Sequence, residues 1–169
     1  MTERSAPDGT GAPDLGWTHI ALAVRDVDAS AAFYARYAGL RLVHRRDEPD
    51  GDPVVWLSDL TRPFVLVLLE APVTHVLGGW AHLGVAVESR AEVDRRVADA
   101  RAAGVVVDGP HDSGPPVGYW AILADPDGHH LEVAFGQEVA ATVAAATRTA
   151  TPDGRAAGGD APPGTLPPR

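Results

Sequence analysis

The sequence predicts an α+β fold built from two tandem βαβββ modules. The first observation is a repeated strand pattern, because WTHIALAV (17–24) and WAHLGVAV (80–87) place Trp and His at matching positions 63 residues apart. The second is that a helical pattern and then further strand patterns follow each copy. The third is that later landmarks keep nearly the same offset, Trp56 with Trp120 (64) and Glu70 with Glu132 (62). A period this regular indicates a duplicated unit.

The first module begins with the strand at 17–24 and continues into a helix over 25–40. Apolar residues recur on one face of this helix, Asp28 or Ser30 is expected to cap its N-terminus, and Gly39 is expected to end it. Two strands are predicted after it, VVWLSDL (54–60) and FVLVLLEA (64–71).

The second module repeats this order after its own first strand. A second amphipathic helix is predicted over 88–107, and Gly104 stops it. The strands GYWAILAD (118–125) and HHLEVAF (129–135) follow, joined by the turn sequence DPDG. The folded part is therefore predicted to be residues 16–137, with modules at 16–72 and 79–137.

The two ends of the chain are predicted to lie outside this fold. Residues 1–15 are rich in Gly, Pro and Asp, and we expect them to be disordered. Residues 138–169 form an Ala/Pro/Gly-rich tail that is expected to be mostly disordered. Within that tail, 139–150 either forms a short helix or continues the disordered segment.

Composition excludes several classes of function. The net charge is −9, which argues against a nucleic-acid partner, because binding phosphates requires clustered Lys and Arg. No apolar run approaches the roughly 18 residues of a membrane span, and the N-terminus has no apolar secretory core, so we expect a cytoplasmic protein. The chain has no cysteine, so a metal ion must be held by His and carboxylate side chains.

The repeated strand indicates a cavity wall. Since alternate strand residues share a face, His19 and His82 each lie with the preceding Trp and with small residues, opposite the branched aliphatic side chains. Glu70 and Glu132 end otherwise apolar strands, where an isolated carboxylate is costly to bury. These four side chains are predicted to converge on one cation. The other histidines, His44, His75 and His111 among them, are assigned to loops, turns or strand ends.

Two segments resemble the vicinal oxygen chelate superfamily of glyoxalases, bleomycin-resistance proteins and extradiol dioxygenases. They are HIALAVRDVDASAAFYARYAGL and DPDGHHLEV, and the resemblance to the glyoxalase-like subgroup covers residues 16–137. It implies that the two modules curl into an incomplete eight-stranded barrel around a metal ion. It also implies metal ligands at His19, Glu70, His82 and Glu132, whereas an extradiol dioxygenase requires only His19, His82 and Glu132.

The resemblance implies a metal-dependent lyase or isomerase acting on a small chelating substrate through an enediolate-like intermediate. Glu70 and Glu132 are then both ligands and catalytic groups, and the ion is Ni²⁺, Zn²⁺, Co²⁺ or Mn²⁺. One alternative is an extradiol-type dioxygenase with Fe²⁺, and another is a protein that sequesters a drug or metabolite. Because Ala23 and Thr74 stand where glutathione-dependent members carry Arg and Asn, glutathione is not the expected cofactor.

The resemblance also implies a homodimer with a small-molecule substrate. The expected substrate cavity is lined by aromatic and imidazole side chains: Trp17, Trp56, Trp80, Trp120 and His130.

Overall fold

Each predicted module folds into one four-stranded sheet with one helix. The computed structural model describes residues 15–47 and 51–149, so the predicted disorder of 1–14 and of 150–169 falls outside the described residues. The first module contains β1 (His19–Val24), α1 (Val27–Ala38), β2 (Arg41–Arg46), β3 (Val54–Ser58) and β4 (Val65–Glu70). The second contains β5 (Leu83–Ala86), α2 (Arg90–Ala102), β6 (Val106–Asp112), β7 (Tyr119–Ala124) and β8 (His130–Phe135). The predicted α+β arrangement of two βαβββ modules is confirmed.

The two sheets have the same topology. Their strand orders are β1-β4-β3-β2 and β5-β8-β7-β6, and the first strand of each module runs parallel to the last. Within the described residues no strand of one sheet pairs with a strand of the other, so a single copy of the chain does not close them into one barrel. The barrel that the resemblance implied is therefore present as two separate halves.

Helix α1 begins earlier than the sequence pattern indicated. Its N-cap is Asp26, whose Oδ1 accepts hydrogen bonds from the backbone N–H groups of Asp28 and Ala29, both at 2.9 Å. The predicted caps Asp28 and Ser30 both lie inside the helix. Gly39 ends the helix as predicted, with a φ of 70° that favours glycine.

One hydrophobic core joins the two modules. Leu22 and Val24 of β1 pack in the same buried cluster as Val93 and Val97 of α2 and Leu131 of β8. A hydrogen bond also connects the modules, since the guanidinium of Arg96 donates at 2.7 Å to the carbonyl of Tyr37 near the end of α1. The modules therefore fold against each other rather than as independent domains.

The DPDG turn between β7 and β8 is fastened to the first module. Tyr34 of α1 donates a hydrogen bond from its hydroxyl to Asp125 Oδ2, at 3.1 Å. Arg25 forms an ion pair with Asp127, with 2.6 Å between Nε and Oδ1. Since β8 follows directly, these bonds fix where the strand that carries Glu132 begins.

His129 completes this connection. It is 2 % exposed, and its Nδ1 accepts a hydrogen bond from the backbone N–H of Leu77 at 3.1 Å. A ring nitrogen that accepts carries no proton, so Nε2 holds the hydrogen of the neutral ring and donates to the carbonyl of Ala23 at 3.0 Å. The ring therefore links the end of β1, the inter-module linker and the turn.

Residues after Gln137 form a separate unit. Val139–Thr149 is helix α3, the first of the two alternatives considered for this segment. No helix in the described part of the chain is long and apolar enough to cross a membrane.

Candidate metal centre

His82 and Glu132 lie together on one face of the second sheet. Glu132 pairs in register with Gly84, so it shares the face of His82, two residues before Gly84. The distance between His82 Nε2 and Glu132 Oε2 is 3.7 Å. Two ligand atoms that are each about 2.1 Å from one ion are separated by roughly 3–3.5 Å. The spacing therefore fits a divalent ion after a small movement.

Neighbouring groups leave one atom of each side chain directed to this gap. His82 Nδ1 lies 2.9 Å from the carbonyl of Trp80, which can only accept, so Nδ1 donates to it and, in the neutral ring, Nε2 is the nitrogen that can bind a metal ion. Gln137 donates from Nε2 to Glu132 Oε1 at 2.6 Å, which leaves Oε2 facing the histidine. Glu132 is 8 % exposed, and a buried carboxylate of this kind is stabilised by a cation.

His19 occupies the corresponding place on the first sheet. It lies on β1 with its Nδ1 3.0 Å from the hydroxyl of Thr18, which leaves Nε2 for another partner. We call the space beside it the His19 cavity, about 620 Å³ and lined by Ala21, Trp56, Ser58, Arg62 and Val67 among others. The predicted division of β1 into an open face and a buried face is confirmed, since Leu22 and Val24 are buried while His19 and Ala21 are exposed.

The two histidines do not line a common cavity in one copy of the chain. His82 and Glu132 line a second space, the His82 cavity, of about 270 Å³, which shares no lining residue with the His19 cavity. Across residues 15–47 and 51–149, no three His, Asp or Glu side chains converge as a metal site within one copy. One copy therefore brings together His82 and Glu132 but not His19.

Glu70 lies on the other face of its sheet. It pairs in register with Val24, which is buried under the helix, whereas Val67 pairs with Ala21 on the His19 face. The carboxylate of Glu70 instead accepts a hydrogen bond of 3.1 Å from the backbone N–H of Val27, at the first turn of α1. The residue whose register matches that of Glu132 is thus Val67, and the predicted convergence of Glu70 with His19 is not what the structure shows.

The predicted aromatic residues are divided between the cavities. Trp56 lines the His19 cavity, Trp80, Trp120 and His130 line the His82 cavity, and Trp17 lines a third space of about 520 Å³ between the first strands of the modules. Trp17 and Trp80 are 81 % and 88 % exposed, so a single copy leaves both indole rings largely uncovered.

Two histidines assigned to loops or strand ends stand beside the site tryptophans. His44 of β2 contacts Trp56, and His111 of β6 contacts Trp120, each with ring centroids 4.9 Å apart. The sequence carried a signal for these contacts, because each histidine precedes its tryptophan by about ten residues, 12 in the first module and 9 in the second. His111 also bonds Asp108, which lines the His82 cavity, and this bond is the main reason that the pKa of Asp108 lies below its usual value.

Comparison with known proteins places this geometry in a family. Over 124 residues the chain is 39 % identical to an uncharacterized protein of Pseudomonas aeruginosa, which covers 71 % of this chain and 88 % of that protein. The trypanothione-dependent glyoxalase I of Leishmania major is 25 % identical with a TM-score of 0.58, covering 81 % of this chain and 98 % of that one. A possible glyoxalase from Bacillus cereus has the same identity and TM-score over 72 % of this chain and 99 % of its own.

A more distant structure shows the fold alone. The fosfomycin resistance protein FosX of Listeria monocytogenes, in a variant complexed with Mn(II) and a dihydroxypropylphosphonic acid, is 19 % identical with a TM-score of 0.59, over 76 % of this chain and 97 % of its own. The family model for the Glyoxalase/Bleomycin resistance protein/Dioxygenase superfamily matches residues 16–133. With its two matched βαβββ modules and its histidine-bearing first strands, the chain belongs to this superfamily.

Proposed function

We propose that the protein is a divalent-metal-dependent enzyme in which His19, His82 and Glu132 hold the ion. The observation that carries this proposal is the His82–Glu132 pair, whose remaining hydrogen bonds direct Nε2 and Oε2 into one gap. Two imidazoles and one carboxylate form the donor set typical of a facial triad with open positions. When bound, the ion acts as a Lewis acid that polarises the oxygens of a chelating substrate.

The position of Glu70 favours the three-ligand set over the four-ligand set. Its carboxylate lies on the helix side and accepts from Val27, so the ion would keep three positions for substrate and a second reactant. Among the activities considered, this supports an extradiol-type dioxygenase, with Fe²⁺ as the ion and a vicinal diol as substrate. In this arrangement the protein holds the diol against the site tryptophans.

A lyase or isomerase of the glyoxalase type is the second candidate. It is supported by the similarity to a glyoxalase I at 25 % identity over most of both chains. In this candidate the ion is Ni²⁺, Zn²⁺, Co²⁺ or Mn²⁺, and Glu132 is the carboxylate available for proton transfer.

We further propose that the enzyme is a homodimer in which His19 of one copy meets His82 and Glu132 of the other. Both histidine-bearing faces are open, and each exposes a tryptophan beside its histidine. Pairing the two faces across a twofold axis covers these surfaces and creates two identical sites.

Metal analysis of protein purified without chelators tests the first proposal. We expect about one ion per chain, oxygen uptake with a catechol after loading with Fe²⁺, and little turnover of hemithioacetals. Hemithioacetal isomerisation without oxygen uptake would favour the second candidate. Ligand binding without any turnover would favour a sequestering protein.

Mixing two single variants tests the shared site. His19→Ala and His82→Ala should each retain little metal alone. If random exchange makes half of the dimers mixed, and each mixed dimer holds one intact site, metal content should recover to about a quarter of wild type. A mixture of His19→Ala with the His19→Ala/His82→Ala double variant should recover none. Equal metal retention in both mixtures would refute the shared site.

A further inference from the structure

Arg62 lies at the mouth of the His19 cavity. It belongs to the hairpin loop between β3 and β4, and it lines both the His19 cavity and the adjoining space of about 520 Å³. No sequence motif marks it, because a single arginine in a turn is usually a solvated surface residue. Arg62 therefore borders the space in which a ligand would bind beside His19.

The loop that carries Arg62 is held by its own hydrogen bonds. The hydroxyl of Ser58, which is 6 % exposed, donates to the carbonyl of Phe64 at 2.9 Å and accepts from the backbone N–H of Leu60 at 3.1 Å. Phe64 in turn donates its N–H to the carbonyl of Arg62 at 2.8 Å. The backbone of Arg62 is therefore fixed relative to the cavity, while its side chain extends from it.

The charge of Arg62 interacts with Asp59 without a direct contact, and no closer partner is found within the described part of the chain. Arginines such as Arg25, Arg45 and Arg96 each form an ion pair with Asp or Glu, but across residues 15–47 and 51–149 the guanidinium of Arg62 has no hydrogen bond or ion pair. Its acidic neighbour Asp59 already accepts two bonds from Thr61, at 2.7 and 2.8 Å.

Arg62 also sets the electrostatic character of the cavity. Among the described residues that line the His19 cavity, it alone carries a full charge, and most of the others are apolar. A cation without a direct ion pair, beside a mainly apolar cavity of a protein with a net charge of −9, gives an anionic ligand more binding free energy than a neutral one. Arginine is also suited to carboxylate and phosphate groups, because its planar fork donates two parallel hydrogen bonds.

We infer that Arg62 selects substrates that carry an anionic group, a carboxylate or an oxyanion of phosphorus, in addition to the two oxygens that chelate the metal. This rests on the proposed function, because it takes the His19 cavity as one wall of the substrate site. Arg62 is then a specificity-determining residue, which binds a part of the substrate remote from the reacting oxygens.

The test compares two probes that differ only in the anionic group. Catechol and 3,4-dihydroxybenzoate present the same vicinal diol, and Zn²⁺-loaded protein under argon allows their affinities to be measured by calorimetry without turnover. We expect Arg62→Gln to lower the preference for 3,4-dihydroxybenzoate over catechol by about tenfold or more, as for loss of a charged hydrogen bond. Arg62→Lys should keep part of the preference, since the charge remains but the fork is lost.

Arg41→Gln is the matched control, because it removes the same charge from an exposed position on β2 that lines neither cavity. It should leave the preference unchanged. An unchanged preference in Arg62→Gln, or an equal loss of affinity for both probes, would overturn the role of Arg62 while leaving the metal site standing. Failure of the wild-type metal-loaded protein to bind either probe would overturn the proposed chelating function, and this inference with it.

Discussion

Replacing Tyr34 with Phe removes one hydroxyl from the interface between the modules. Tyr34 is fully buried and donates to Asp125 Oδ2 at 3.1 Å, and Asp125 is 4 % exposed. The variant leaves a buried carboxylate oxygen without its donor, which costs about 2 kcal/mol of unfolding free energy. For a folded region of this size, that loss corresponds to a fall in melting temperature of about 8 °C.

Tyr37→Phe provides the matched control. Tyr37 lies one turn later on α1, is 4 % exposed and contacts the same Phe33 ring, but within the described residues its hydroxyl has no hydrogen bond. Thermal unfolding followed by circular dichroism should therefore show a large decrease for Tyr34→Phe and little change for Tyr37→Phe. Equal melting temperatures for the two variants would refute the assignment of the Tyr34–Asp125 bond as a stabilising contact.

The same pair of variants gives a pH test. Burial is the main cause that raises the pKa of the Tyr34 hydroxyl above its ordinary value of 10.0, and the nearby Asp125 charge and hydrogen bond add to it. In the unfolded chain this group loses its proton near its ordinary pKa, while the folded chain retains it. Its contribution is thus complete below about pH 10 and declines as the pH rises above that value. Wild type and Tyr37→Phe should show this alkaline decline, and Tyr34→Phe should lack that part of it.

Three further predictions concern the site and its scaffold. A hundredfold excess of metal over its dissociation constant should stabilise the protein by about 2.7 kcal/mol in melting experiments. This stabilisation should vanish in His82→Ala and persist in His75→Ala. A chelator that leaves the melting temperature of stoichiometrically metallated protein unchanged would contradict the prediction. Glu70→Gln should retain metal and near wild-type turnover, because the amide oxygen still accepts a hydrogen bond from the first turn of α1. A decrease in turnover of about 10²–10⁴-fold would instead indicate that Glu70 is the general base. Gly118→Ala should lower the free energy of unfolding by about 1–3 kcal/mol, since φ is 88° there and the added Cβ would overlap the carbonyl of Phe135; an unchanged melting temperature would contradict this.

The parts of the fold that the sequence predicted are those with strong local periodicity. Strand β1 alternates small and branched residues because one face is buried by a helix, and this placed His19 on the open face without a structure. The end of α1 at Gly39 could also be predicted, because few residues other than glycine adopt the left-handed backbone conformation found there. The prediction of His82 followed from the same alternation in the second module, and that of Glu132 from its place at the end of an otherwise apolar strand.

The remaining features depend on pairing between distant segments. Strand β2 lies at a sheet edge and is exposed along its whole length, so it has no alternation by which His44 could be assigned to a strand. Glu70 was predicted to share the face of His19 because its sequence offset was taken as register, whereas the pairing of β4 with β1 puts Val67 on that face. The partner of Asp125 lies 91 residues away, and local pattern does not reveal such a bond.

The attachment of the DPDG turn has a consequence for building chimaeras of this protein. Although the two modules look like interchangeable copies, Asp125, Asp127 and His129 of the second module bond respectively to Tyr34, Arg25 and the Ala23 carbonyl of the first. The second module of this protein, grafted onto the first module of a relative, would bring the carboxylate acceptors without their donors unless Tyr34 and Arg25 were transferred with it. The unit of exchange is therefore the second module together with the β1–α1 corner of the first, and a hybrid cut at the linker alone should fold with a weakened start to the strand that carries Glu132.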